Sequence, residues 1–381
     1  MRAMALTQEA LYRELDLDLE LSWSERDLPE RERTKHVHRL HPYLGKFVPQ
    51  LVEVLLGRYF RPRQHVLDPF AGSGTTLVQS LESGLDATGI DIAAFNCLLM
   101  QVKTRRYELF SLEREIRNVV VELDSLAASG TSPASDSAYL NDWYAPQALA
   151  ELIGFRELIA GREHVDLLRV VLTRAARSAR RTRHFDLEFP REPQLEPYWC
   201  HKHRRTCRPV ETASHFLRRY ALDTLKRVKE FQRLRSRGRE AIVAHGDSCS
   251  IPLESVYDGI VTSPPYPGLI DYHEQHRYAY ELLALDDRRG QELGAAATGT
   301  GRSALSNYCD GIVAVLENVR PALRAGAPVA IVVNDRRDLY PDILTRAGLE
   351  LEDRHRRHVN RRTGRRAGEF FEDVLIARYT R

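Results

Sequence analysis

Two stretches far apart in the chain carry residue types suited to chemistry: Asp68-Pro-Phe-Ala-Gly-Ser-Gly-Thr-Thr76 and Thr262-Ser-Pro-Pro-Tyr266. The first joins a carboxylate to two glycines, whose freedom lets a loop turn sharply and bring backbone N–H groups against a ligand. The second places a hydroxyl and a carbonyl on a loop stiffened by two prolines, so its acceptors are preset. Each closes an apolar run that reads as a buried strand, Gln64 to Phe70 and Tyr257 to Thr262. Ligands of open α/β sheets bind at the carboxyl ends of strands, so one site built from both loops is expected.

Phosphate binding does not suit the first loop. A P-loop needs Lys after its last glycine, where Thr75 stands, and the dinucleotide fingerprint needs a third glycine where Leu77 stands. Thr75 and Thr76 open a helix through Leu77 and Leu81. The next strand, Asp86 to Asp91, ends in a second carboxylate about 20 residues on, placed to accept hydrogen bonds from ribose hydroxyls. Asp91 can also cap the helix that follows.

The two loops together resemble the S-adenosylmethionine loop and the catalytic loop of DNA amino-methyltransferases, which act on exocyclic nitrogens of cytosine or adenine. The resemblance covers roughly residues 35–104 and 241–381. It implies a Rossmann-like α/β methyltransferase fold, a mostly parallel sheet with a terminal antiparallel hairpin, and S-adenosyl-L-methionine as cofactor. That cofactor carries no phosphate, in keeping with the short loop. By resemblance Asp68 reaches toward the methionine amino group and Phe70 lines the pocket, with Gly72, Gly74 and Thr75 forming the loop. Ile92 packs on the adenine, Asp247 faces it, and Lys46, Phe47 and Pro49 pack on the methionine end.

The catalytic loop is then Ser263, Pro264, Pro265 and Tyr266. An exocyclic amine is a poor nucleophile because its lone pair is delocalised into the ring. Acceptors on its hydrogens, Ser263 Oγ and the Pro264 carbonyl, favour a lone pair aimed at the methyl group. Tyr266 can stack on a base flipped out of the duplex, as chemistry on a paired base requires. Ser at 263, where many adenine enzymes carry Asp, favours cytosine-N4, although Ser-Pro-Pro-Tyr is compatible with adenine-N6. No Pro-Cys pair occurs, which weighs against methylation of a ring carbon. An RNA base methyltransferase and a non-catalytic nucleic-acid-binding subunit are the alternatives.

The remaining chain must position these loops and grip a substrate. Residues 1–34 read as an extension, with Thr7 capping a helix through Leu11 and Leu15. Residues 105–240 lack strand–helix alternation and read as a mainly helical insertion, the candidate target-recognition domain, between methyltransferase segments 35–104 and 241–381. The net charge is only +3, yet Lys and Arg cluster at 174–183, 202–208, 233–239 and 354–366, which favours a polyanion partner, double-stranded DNA. Arg174, Arg177 and Arg181 are spaced for one helix face. With Arg205, Arg208, Tyr272 and Arg277 they are the candidate DNA contacts, and Phe185, Tyr198 and Trp199 lie among them. Modification alongside a cognate restriction endonuclease is the expected role.

No metal is expected. His36, His38 and His41 lack partners at ligand spacing. Cys200-His-Lys-His-Arg-Arg-Thr-Cys207 holds Cys and His close together, but finger spacings need a second ligand pair a dozen or more residues away. That segment reads as a basic turn before a helix. Five scattered cysteines do not form a disulfide framework, and no apolar run approaches the roughly 20 residues of a membrane span. The start of the chain has no signal-peptide core, so a cytoplasmic location is expected. The C-terminal residues read as an edge hairpin, 349–351 with 370–379, whose Arg-rich tip is 361–366.

Overall fold

The computed structural model describes residues 17–18, 20–23, 27–45, 47–129, 135–184, 190–359 and 370–379, with backbone alone for 124–129. Lys46, Phe185, the 1–16 helix with its Thr7 cap and the Arg361–Arg366 tip lie outside them.

The frame is a seven-stranded sheet of order β5-β2-β1-β6-β7-β9-β8. Its strands are β1 (His65–Asp68), β2 (Asp86–Asp91), β5 (Ala241–His245), β6 (Gly259–Thr262), β7 (Val329–Val333), β8 (Leu349–His358) and β9 (Phe371–Tyr379). A separate hairpin is formed by β3 (Tyr198–Cys200) and β4 (Arg205–Cys207). In the large sheet only β9 runs antiparallel to its neighbours. This is the Rossmann-like methyltransferase arrangement that the motif order implies. The chain passes from β1 to β2 on one side and returns to β6 on the other, so a crevice opens at the carboxyl ends of β1 and β6.

Central strands follow directly from composition. In β7 every residue of Val-Ala-Ile-Val-Val is buried, as a strand covered on both faces requires. Edge strand β8 is longer than its apolar start suggests. Its Glu, Asp, Arg and His residues are largely exposed, and charge on an edge discourages pairing with other chains.

Helices cover both faces. Helix α1 (Pro49–Tyr59) has proline in its first turn, where the missing N–H costs nothing. Helix α2 (Thr75–Glu82) follows the glycine loop and α3 (Ala94–Thr104) follows β2. Residues 105–240 contain α4 (Leu109–Ser129), α5 (Ala138–Trp143), α6 (Pro146–Leu158), α7 (Val165–Ala179) and α8 (Ser214–Leu234). They join β2 to β5, which pair directly, so the whole segment is one long connection between adjacent parallel strands. One apolar cluster runs from Val78 and Leu81 of α2 through Phe95 and Leu99 of α3 to Leu152, Leu168, Val171, Leu217 and Val228. The helical segment thus shares its core with the helices flanking the crevice.

Helix α7 packs on α3, α6 and α8 and is buried nearly all round. It ends at Ala179, so Arg181 lies beyond it and not on a shared face with Arg174 and Arg177. The Cys200–Cys207 segment is a β-hairpin, not a bare turn. Its strands are three residues each, too short for an alternation signal. Among the described residues no helix is long and apolar enough to cross a membrane, and all five cysteines are free.

Candidate active site

The crevice holds a cavity lined from both loops: Asp68, Phe70, Gly72, Ser73 and Thr75 from the first, Ser263 and Pro265 from the second. Asp91, Ile92 and Asn96 add one wall, Asp247 and Ser248 another, and Tyr43, Phe47, Tyr272 and Glu292 close it.

Loop geometry explains the glycines. Gly72 has φ +50°, and a Cβ there would lie 3.0 Å from the Tyr43 hydroxyl. Gly74 has φ +80°, and a Cβ would meet Met100 Cγ at 2.7 Å. Both positions therefore require the residue without a side chain. Gly74 does not line the cavity; it closes the turn into α2. Pro49 also stands off the cavity, buried in the first turn of α1.

Asp68 is buried, and its Oδ1 accepts from Thr262 Oγ1 at 2.6 Å and from the Phe70 N–H at 3.1 Å. Desolvation pushes its carboxyl up to about 6 against those hydrogen bonds. Asp91 Oδ2 accepts from the Gly72 N–H at 2.8 Å, and Oδ1 accepts from the Ala93 N–H and Asn96 Nδ2 at 2.8 and 3.1 Å. Desolvation raises it to about 7. A carboxylate offers about four acceptor positions, so with three filled one remains for a ligand hydroxyl. The Asn96 Oδ1 and Ser73 Oγ atoms are buried without a protein partner beside the same cavity. Buried polar atoms are normally satisfied, so both are fitted to a polar ligand.

Charge identifies the kind of ligand. Four acids, Asp68, Asp91, Asp247 and Glu292, line the cavity, and among the described residues no Lys, Arg or His does. Such walls repel phosphates and attract cations. S-adenosylmethionine, with its sulfonium and ammonium, fits them, and bound there it supplies a methyl group activated on sulfur.

A family model described as DNA methylase matches residues 7–101. The type II methyltransferase M.MjaII of Methanocaldococcus jannaschii is 34% identical over an alignment of 451 positions, spanning 97% of this chain and 84% of that protein. This chain belongs to the DNA amino-methyltransferase family. It is an S-adenosylmethionine-dependent DNA methyltransferase. The type II methyltransferase M.MvaI of Kocuria varians is 26% identical over 248 positions, covering 60% of this chain and 53% of that one. Among solved structures, the rRNA methyltransferase aviRa from Streptomyces viridochromogenes aligns over 89% of this chain and 88% of that one, at TM-score 0.34 and 13% identity.

In this methyltransferase the Ser263–Tyr266 loop is tied to β9, two strands beyond β6 in the sheet. The Tyr266 hydroxyl donates to Glu372 Oε1 of β9 at 3.0 Å, and burial beside that carboxylate holds the phenol well above its ordinary range. The Tyr266 ring sits 6.3 Å from that of Phe370 and does not line the cavity. Glu372 carries no motif, and only the pairing of β9 with β7 brings it near.

Several residues expected to contact DNA sit elsewhere. Arg174 is buried, paired with Asp223 at 2.7 Å and placed over the Tyr220 ring, so it is withdrawn from any phosphate. Arg277 pairs with Glu281 and Glu274 and covers Tyr139. Arg177 is half-buried on α7, the helix of Arg174. Tyr272 lines the cavity and stacks on Tyr43 at 5.6 Å. Arg205 and Arg208 are exposed, as are Lys202 and Arg204 beside them. Tyr43, Asn96, Glu292 and Glu372 carry no local signal, whereas Ser73 falls within the glycine loop itself.

Proposed function

We propose that this enzyme transfers the methyl group of S-adenosylmethionine to the N4 amine of a flipped-out cytosine in double-stranded DNA, in a type II modification role beside a cognate endonuclease. The observation that carries this reading is the position of Ser263 on the wall of the acidic cavity. A serine hydroxyl there has two acceptor lone pairs to offer an amine N–H. Ser263 Oγ and the Pro264 carbonyl hold the two amine hydrogens, and Pro264 and Pro265 keep those acceptors in place before substrate arrives. A neutral serine at 263 serves the cytosine amine, where adenine enzymes often carry a carboxylate. Tyr266, held by Glu372 and beside Phe370, is a positioning residue for the end of the Ser263–Tyr266 loop.

In this reading Asp91 takes a ribose hydroxyl, Asp247 the adenine edge and Asp68 the methionine ammonium. Phe47, Phe70 and Ile92 form apolar walls, with Lys46 beside Phe47 in sequence. The segment 105–240 reads the target, and Arg205 and Arg208 with their neighbours meet phosphates. Acting on chromosomal DNA, the enzyme works in the cytoplasm.

Expression in a methylation-free bacterial host, followed by single-molecule sequencing of its DNA, tests this directly. N4-methylcytosine at one short recurring sequence is expected. N6-methyladenine would overturn the serine argument and keep the reaction class. Unmodified DNA from cells containing folded, cofactor-binding protein would overturn the DNA substrate.

A further inference from the structure

Well separated in sequence from both loops, the β3–β4 hairpin poses a stability problem. Each strand has three residues, and the only buried apolar cluster it owns is Tyr198, Cys200 and Cys207. An isolated two-stranded hairpin is marginal in water, and three side chains do not make a core. Register explains which side chains meet. Tyr198 pairs with Cys207 and Cys200 with Arg205, so the two-residue period puts Tyr198, Cys200 and Cys207 on one face. Trp199 points from the other face and is 57% exposed.

That inner face carries converging metal donors. Cys200 Sγ lies 3.5 Å from His184 Nδ1 and 3.7 Å from His203 Nδ1, and Cys207 Sγ lies 3.5 Å from His203 Nδ1. All four donor atoms fall within 4.8 Å of one another. A zinc tetrahedron with Zn–S of about 2.3 Å and Zn–N of about 2.0 Å has S···N edges of about 3.5 Å. Individual thiol–imidazole hydrogen bonds would explain one such distance. They do not explain two sulfurs and two nitrogens converging on a common centre. Arg204 adopts φ +51° in the connecting turn, which folds His203 back beside Cys200. The Tyr198 hydroxyl accepts from the His184 N–H at 3.0 Å and lies 2.9 Å from His184 Nδ1. The incoming chain at His184 is thereby fastened to the hairpin. Lys202, Arg204, Arg205 and Arg208 are exposed around the site.

We propose that His184, Cys200, His203 and Cys207 form a structural zinc site that holds the β3–β4 hairpin, with its basic tip and exposed Trp199, in one orientation. All four positions are filled by protein, so the site is closed and has no catalytic vacancy. Two thiolates neutralise the ion. His184 is the ligand that sequence spacing hides, because it comes from the chain after α7 and not from the hairpin.

The test uses the full-length chain purified without added metal or chelator. Elemental analysis is expected to give one zinc per chain, released on titration of the thiols with an organomercurial and detected by a chromogenic chelator. Cobalt(II) exchanged into the wild-type protein is expected to give the intense visible absorption of tetrahedral thiolate coordination. The Cys200→Ser/Cys207→Ser double variant is expected to lose that zinc while still binding S-adenosylmethionine by calorimetry, which excludes global misfolding as the cause. His184→Ala alone is expected to weaken zinc retention at least tenfold against a competing chelator. The proposal is overturned by wild-type protein without metal and without tetrahedral cobalt absorption. A Cys200–Cys207 disulfide found by mass spectrometry under reducing purification, or zinc content unchanged in the double variant, would overturn it equally.

Discussion

Thr262 Oγ1 donates a 2.6 Å hydrogen bond to Asp68 Oδ1, across 194 residues of sequence. The bond joins the end of the cofactor strand to the end of the catalytic strand, one residue before Ser263. The two loops are therefore registered against each other by a buried side-chain contact and by the parallel pairing of Val66 with Gly259 and Leu67 with Ile260, and in the proposed function that registers methyl donor against acceptor amine. Thr262→Val keeps the shape and removes the donor. A charge-assisted bond is worth about 1.5–3 kcal/mol, so a loss of stability of about 2 kcal/mol is expected in urea unfolding. A larger proportional loss in kcat than in cofactor affinity is also expected, since alignment between the loops is what the bond provides. Unchanged kcat with full stability loss would make the contact merely structural.

Tyr266→Phe breaks the bond to Glu372 and leaves the ring in place. The expected result is a fall in kcat of about 10- to 100-fold, with the S-adenosylmethionine Kd within about twofold of wild type. Ser263→Ala is expected to abolish turnover and spare cofactor binding. Glu372→Gln, which still accepts from Tyr266, is expected to retain more activity than Tyr266→Phe. Loss of cofactor binding in any of the three, by calorimetry, would place these residues in the wrong part of the site.

The two cavity carboxylates set a pH dependence. Asp68 is raised to about 6 and Asp91 to about 7 from an ordinary 3.8, in both cases by desolvation. In the cofactor-free fold their contribution to stability is fully present below pH 3.8 and is lost as pH rises through about 6 and 7. A cationic ligand needs them ionised, so its affinity moves the opposite way. Between pH 7.5 and 5.5 the affinity is expected to fall about 10- to 100-fold. Binding near pH 6.5 should release protons, read as a buffer-dependent enthalpy in calorimetry. A pH-independent Kd over that range would refute the assignment of these acids to the cofactor.

Arginines at different burial should separate binding from stability. Arg205→Ala and Arg208→Ala are each expected to reduce the slope of log affinity for DNA against log salt by about 1 and leave the melting temperature unchanged. Arg174→Ala removes the closer of two ionic partners of half-buried Asp223, leaving Arg227 at 3.4 Å. It is expected to lower stability by about 2 kcal/mol, with the salt slope unaltered. A salt-slope change in Arg174→Ala would return that residue to the DNA face.

Much of the sheet was legible because buried parallel strands and glycine turns are local signals. Asp86 to Asp91 reads as a strand and is one, and the run before Ser263 ends where β6 ends. The insertion was legible as helical from its periodicity. Its hairpin was not, because three-residue strands leave no period to detect. The helix-face reading of Arg174, Arg177 and Arg181 failed for a different reason: spacing says nothing of where a helix stops or what packs on it.

The sequence by itself determined the chemistry of the two loops, since Gly72, Asp91, Ser263 and the paired prolines act through residue type and short-range backbone geometry. The tertiary structure alone decided which distant groups those loops meet. Glu372 behind Tyr266, Asp223 against Arg174 and His184 beside Cys200 are all brought together by strand order and helix packing. Contacts of that kind depend on how strands and helices are ordered in space, and no local pattern along the chain records it.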